Sequence, residues 1–140
     1  MKVFVDTNVL LDVLIPGREY NYFSTALMQV FKSGAMKACM TTQSIVDALY
    51  VFSRRRKGEG LEPFMEMVAK LSSFIEIVSI TADDLRNAAG SGITDYEDAC
   101  QLAAATRCGC EGIVTSDGKY SGYTSLQVCN PQELFDIIFE

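Results

Sequence analysis

The sequence contains no histidine. That absence excludes Ser-His-Asp and Cys-His nucleophile arrangements, histidine zinc sites and imidazole acid–base pairs. Any chemistry here must rest largely on carboxylates. Basic residues are also few: 12 Lys and Arg against 18 Asp and Glu leave a formal charge of −6. That balance argues against a protein that coats nucleic acid with a broad basic face. It does not argue against an enzyme that grips phosphate through bound metal ions, because cations turn acidic clusters into phosphate sites. Long apolar runs are missing too. None approaches a membrane span and the N-terminus has no signal-peptide apolar core, so a cytoplasmic protein without a membrane partner is expected. The five cysteines, at 39, 100, 108, 110 and 129, are odd in number and lack a secretory context, so they read as reduced thiols. Cys108-Gly109-Cys110 has no second Cys pair and no His to complete a tetrahedral metal site, and reads as small apolar residues beside a sheet.

What is present is alternation. The 140 residues, 49% of them hydrophobic, fit one domain with a core of its own. Residues 2–5 read as a short buried strand. Helical spacing runs from Asn8 to Leu14 and stops at Pro16-Gly17. A second helix over 19–32 puts Tyr20, Phe23, Leu27, Val30 and Phe31 on one face, ending at Gly34. Strand 37–41 leads to a helix over 42–55 with Ile45, Leu49 and Phe52 in phase. After a loop at 57–60 come a helix over 61–72, a strand over 74–80 and a helix from 81–84 to Gly90. Thr94 with Glu97 predicts a capping box opening a helix to Arg107. Strands 112–115 and 126–130 flank a polar loop at 116–125, and Pro131 begins a final helix. Strand–helix alternation predicts an α/β fold with parallel strands and helices on both faces. No repeat or linker interrupts residues 1–140.

In an open α/β sheet the functional crevice lies beyond the carboxyl ends of the strands. Asp6 ends the first strand in "KVFVDTNVLL", and Asp117 follows the fourth in "VTSDGKY". Asp95 and Asp98 share a face at the start of a helix. Asp47 lies within the 42–55 helix. Each carboxylate alone has an ordinary explanation: a cap for Asp6, a dipole partner for Asp95, a turn for Asp117, solvation for Asp47. Converging on one sheet edge, they would repel one another without a cation. Mg²⁺ or Mn²⁺ is the natural counter-ion for oxygen ligands. Such an ion orients water, lowers its pKa and neutralises charge on phosphorus, which phosphodiester hydrolysis needs and histidine need not supply.

Four stretches in order, "FVDTNVLLD" at 4–12, "SIVDALYVF" at 44–52, "TDYEDACQLAAA" at 94–105 and "GIVTSD" at 112–117, resemble the PIN domain family. The family is a compact nuclease fold common among the toxins of toxin–antitoxin pairs. The resemblance implies a three-layer α/β/α domain around a mostly parallel sheet of four to five strands, spanning 1–140. It implies a Mg²⁺- or Mn²⁺-dependent endoribonuclease with RNA as substrate and a cognate antitoxin as partner. The catalytic carboxylates would be Asp6, Asp47, Asp98 and Asp117, with metal held by Asp6, Asp98, Asp117 and the neighbouring Asp95. Thr7, Asn8 and Thr115 would orient those carboxylates. Two positions depart from the family pattern. Asp47 stands where Glu is usual, and Lys119-Tyr120-Ser121 replaces a frequent Asp-Phe pair.

Arg54, Arg55 and Arg56, with Lys57, form the one basic run. They read as a helix C-terminus complementing its dipole, or as a contact for RNA or a partner. Tyr20, Tyr22 and Phe23 offer either core packing or a homodimer face. A non-catalytic PIN-fold module binding RNA or protein is the alternative function. A dehalogenase-type phosphatase would need a second Asp at position 8, which is Asn. A receiver-like phosphoacceptor would need its Asp on a middle strand, and strand three ends in Ser79-Ile80.

Overall fold

The computed structural model describes residues 1–140 except Lys57 and Tyr123. Those two residues, from the loop expected at 57–60 and the loop at 116–125, lie outside the described residues. The elements run β1 (Lys2–Val5), α1 (Thr7–Leu14), α2 (Asn21–Ser33), β2 (Lys37–Thr41), α3 (Thr42–Arg55), α4 (Glu62–Leu71), β3 (Ile75–Val78), α5 (Ala82–Ala89), α6 (Tyr96–Arg107), β4 (Gly112–Val114), β5 (Gln127–Cys129) and α7 (Pro131–Phe139). Five strands form one sheet in the order β3-β2-β1-β4-β5, and every pairing is parallel.

The period of two in each strand separates two cores. Val3 and Val5 of β1, Ala38 and Met40 of β2, Ile75 of β3 and Val114 of β4 face one way. There they meet α1, α2, α3, α4 and α7 through Leu10, Leu27, Phe31, Phe52, Phe64 and Leu134. Phe4, Cys39 and Ile113 face the other way and pack under α6 with Leu102 and Ala105. The result is three layers, with helices covering a sheet buried on both faces. All five thiols are free, and Cys39 of β2 shares the second core with Cys110.

The helix ends follow local chemistry. Gly34 closes α2 in the left-handed conformation at φ 82°, and Pro131 opens α7 with Asn130 as its cap. One expected cap is displaced. The capping box lies not at Thr94 and Glu97 but at the start of α5, where Thr81 and Asp84 exchange side-chain and backbone hydrogen bonds. At α6 the cap is Asp95, whose carboxylate accepts from the Asp98 amide at 3.0 Å. A carboxylate caps as well as a hydroxyl and also complements the helix dipole, so the start moves one residue on. That shift puts Glu97 in the first turn with its side chain free for another partner.

The chain leaves β1 with β2 on one side and β4 on the other. The sheet order therefore reverses between β1 and β4, and a crevice opens beyond their carboxyl ends. Asp6 and Asp117 lie at its lip.

Candidate active site

Asp6 follows the last residue of β1 and is held by the strand itself: its amide donates to the Val114 carbonyl at 3.0 Å. It occupies the N-cap position of α1, yet its carboxylate makes no capping bond. One oxygen accepts from the Thr115 hydroxyl at 2.9 Å, and the other lies 3.3 Å from the Tyr120 hydroxyl. Only 1% of Asp6 is exposed. Burial raises its pKa above the ordinary carboxylate value, against the pull of Lys119 and the Thr115 hydroxyl. Asp6 is thus a buried strand-end carboxylate with the helix-cap explanation removed.

Asp117 comes from the turn after β4. It accepts from Asn8 Nδ2 at 2.7 Å, from Thr115 at 3.0 Å and from the Lys119 amide at 3.1 Å. The Thr115 hydroxyl stands between Asp6 and Asp117, and its one proton serves one carboxylate at a time. Asn8 and Thr115 thus hydrogen-bond the Asp6 and Asp117 carboxylates. Thr7 contributes through its backbone amide toward Asp6; among the described residues its hydroxyl bonds no carboxylate.

Asp98, in the first turn of α6, is 8% exposed. Desolvation raises its pKa, with Asp95, Asp6 and Asp117 adding to the rise. The Lys119 ammonium stands among Asp6, Asp98 and Asp117, at 3.9, 4.0 and 3.7 Å. Three of the four expected catalytic carboxylates thus surround one point. Asp47 takes a different course. It accepts from Gln43 at 2.9 Å on its own helix and turns its carboxyl to that of Glu97. That shared hydrogen bond pushes Glu97 up to about 7. The shorter side chain at 47 meets a neighbouring acid rather than reaching the other three. Asp95 is exposed and spends an oxygen on capping α6.

Side chains absent from the expected set complete the site. Tyr120 is 1% exposed, fills the α6-side core and adds its hydroxyl to Asp6. Asp12, also 1% exposed, pairs with Arg18 Nε at 2.8 Å and accepts from Ser24 at 3.0 Å and from Ser116. Ser116 precedes Asp117, so Asp12 anchors the loop that carries it. Gln101 bridges Thr41 at 2.8 Å and Ser44 at 3.1 Å, locking the start of α3 against α6. The links from Tyr120 to Asp6, Ser116 to Asp12 and Gln101 to Thr41 join residues distant in sequence, which local patterns do not reveal. Glu97 left a signal: it adjoins Asp98 and was the far arm of the capping box expected at Thr94.

Arg54 and Arg56 of the basic run are engaged locally. Arg54 donates to the Tyr50 hydroxyl at 2.8 Å and lies over its ring. Arg56 pairs with Glu59 at 3.1 Å and covers Phe52. Arg55 is exposed at the helix end. Tyr22 and Phe23 join Phe135 and Phe139 in an aromatic row between α2 and α7, whose outer members Tyr22 and Phe139 are 70% and 61% exposed.

Oxygen donors on several carboxylates are the set that Mg²⁺ and Mn²⁺ prefer, and burial, with the neighbouring carboxylates, raises the pKa values of Asp6 and Asp98 against the pull of Lys119. The donor chemistry fits such an ion. Among the described residues no three His, Cys, Asp or Glu side chains are drawn together as a finished metal cage. The carboxylates stand splayed around Lys119. No described helix is long and apolar enough to cross a membrane.

The switch point of a parallel sheet is where open α/β proteins bind their ligands, and here that crevice is acidic. The comparisons narrow that class. A PIN domain family model matches residues 2–119, and the chain belongs to the PIN domain family. Ribonuclease VapC1 of Aquifex aeolicus (strain VF5) is 24% identical over 124 residues, which are 85% of this chain and 83% of that protein. Mycobacterium tuberculosis VapC20, described as a sarcin-ricin loop cleaving toxin, superposes with a TM-score of 0.67 at 17% identity over 86% of this chain and 93% of its own. The fold also matches VapBC2 from Rickettsia felis, solved bound to a DNA fragment from its promoter, with a TM-score of 0.64 at 16% identity over 93% and 98% of the two chains.

Proposed function

We propose that residues 1–140 work as one PIN-like domain, a divalent-metal-dependent endoribonuclease acting in the cytoplasm as the toxin of a toxin–antitoxin pair. The observation that carries this reading is the convergence of Asp6, Asp98 and Asp117 on one point at the crevice between β1 and β4. The ribonuclease name of the Aquifex relative and the toxin description of the Mycobacterium neighbour support the activity. The Rickettsia complex supports an antitoxin as partner.

Asp6, Asp98 and Asp117 would hold Mg²⁺ or Mn²⁺, which when bound supplies Lewis acidity toward phosphate and lowers the pKa of water. The protein's own part is orientation. Thr115, Tyr120 and Asn8 hold the oxygens of Asp6 and Asp117, and Gln101 holds the helix that presents Asp98. The Asp47–Glu97 pair adds a carboxyl with a pKa of about 7, suited to holding or releasing a proton near neutral pH. Asp95 remains beside the site as the cap of α6.

Cleavage of a mixed-sequence single-stranded RNA tests the reading, with Mn²⁺, with EDTA, and with Asp6→Asn to exclude contaminating nucleases. Metal-dependent cleavage that vanishes in the variant is expected. Cleavage that persists in EDTA or in the variant contradicts it. RNA binding without cleavage under any metal points to the non-catalytic binding module.

A further inference from the structure

Lys119 is placed as no ordinary surface lysine would be. Its ammonium lies nearly equidistant from Asp6, Asp98 and Asp117, at 3.9, 4.0 and 3.7 Å. Those separations exceed the length of a charge-assisted hydrogen bond, so the ammonium is committed to none of the three. It balances all of them at once, as a cation at the centre of a ring of oxygens does. Its side chain is 37% exposed, with a route open to solvent.

The backbone on either side fixes that direction. On the N-terminal side the Lys119 amide donates to Asp117 at 3.1 Å. On the C-terminal side Tyr120 is buried and touches Asp6. Tyr120 is also the one non-glycine at positive φ among the described residues, at 75°, a conformation that side chains with a Cβ rarely adopt. Backbone of this kind persists only where its surroundings enforce it. Here the turn Asp117-Gly118-Lys119-Tyr120 sends one aromatic ring into the core and one ammonium into the acidic cluster.

We propose that Lys119 is a tethered counter-ion: its ammonium holds the centre of the Asp6–Asp98–Asp117 triangle in the metal-free protein and must swing out before a divalent cation can bind there. This rests on the metal-dependent reading above. Two like charges cannot share the centre of one carboxylate ring, so the lysine and the metal compete. The ammonium keeps the carboxylates near one another when no metal is present, and it weakens the site's apparent affinity by the cost of its own displacement. Because it offsets only one of three negative charges, a divalent cation is still the better occupant. Lys119 is therefore a positioning residue that sets the metal concentration at which the site becomes occupied.

Two measurements test this without reference to activity. The first is calorimetric titration of Mn²⁺ into the apo wild type, Lys119→Met, Lys119→Gln, Lys119→Arg and Asp6→Asn, each checked for folding by circular dichroism. The two neutral variants should bind Mn²⁺ about ten-fold more tightly than wild type, and the arginine variant should stay near wild type. Binding in the neutral variants that is unchanged or weaker overturns the proposal, since Lys119 would then assist the metal rather than compete with it. Retained binding in Asp6→Asn would instead remove the metal from this site and sink the underlying reading. If no variant binds, both fail.

The second is acetylation of lysine amines in the wild type, read by mass spectrometry with Lys37, exposed at the start of β2, as internal reference. Mn²⁺ should raise labelling at Lys119 several-fold over Lys37. Labelling that stays level or falls would show that the ammonium does not leave.

Discussion

Asp6 and Asp84 are buried to the same extent, 1% exposed each, and their surroundings treat them in opposite ways. Asp84 sits at the start of α5, where it closes the capping box with Thr81 and receives Arg107 at 3.0–3.2 Å on both oxygens. That guanidinium holds its pKa below the ordinary carboxylate value. Asp6 has a hydroxyl at 2.9 Å, a second at 3.3 Å and an ammonium no nearer than 3.9 Å, and burial holds its pKa up. One carboxylate has a full set of partners. The other is kept charged-capable in a place that does not pay for its charge. Stability explains the first arrangement. The second leaves a buried carboxylate short of partners, an arrangement that clusters at functional sites.

The largest effect that separates the two should be on cleavage. Asp6→Asn keeps the shape and removes the charge, so on the proposed function the rate should fall by about 10³-fold or more, roughly 4 kcal/mol of barrier. Asp84→Asn should leave cleavage within a few-fold of wild type, read as single-turnover rates on the same RNA. Stability should reverse the order. Asp84→Ala loses its arm of the capping box together with the Arg107 pairing, and should lower the midpoint of urea unfolding. Asp6→Asn in EDTA should unfold at or above the wild-type midpoint.

Acidity sharpens the contrast further. A carboxyl whose folded pKa is raised binds protons more readily folded than unfolded, so stability falls as pH rises through the raised value. Asp6, Asp98 and Glu97, the last at about 7, are of this kind. Asp84 is depressed, so its contribution is present above the unfolded value near 4 and is lost as pH falls below it. The metal-free protein should gain thermal stability from pH 7.5 down to about 5 and lose it below about 4. Asp6→Asn should flatten the rise and Asp84→Asn the fall, in melts recorded across that range in EDTA. The smallest change expected is at Asp47. Asp47→Glu lengthens the reach by one methylene within a helix already aligned by Gln101 and Ser44, and should alter the cleavage rate only a few-fold. Complete loss would show the Asp47–Glu97 pair to be required as it stands.

The sequence carried the frame of this comparison further than its details. Alternating strands and helices determined the layers, and strand-end position alone brought Asp6 and Asp117 to one crevice. Asp98 was legible from its helical face. Asp84 was not, because its partner Arg107 lies 23 residues away and adjacent Asp83-Asp84 read only as a helix start. Asp12 was passed over for the same reason: Arg18 is near in sequence, but Ser116, which gives the pair its place beside the site, is 104 residues distant. Lys119 was visible only as a departure from a family pattern. Its meaning depends on a turn at positive φ that no periodicity encodes.

The most direct test is thermal unfolding of wild type, Asp6→Asn and Asp84→Asn, each with EDTA and with Mn²⁺ well above its dissociation constant. Ligand linkage at a hundred-fold excess is worth about 2.7 kcal/mol. Wild type and Asp84→Asn should both rise in melting temperature with Mn²⁺, Asp84→Asn from a lower start, while Asp6→Asn should start at least as high as wild type and show no response. An Asp6→Asn protein that melts early in EDTA yet still responds to Mn²⁺ would make Asp6 the structural aspartate and contradict the account.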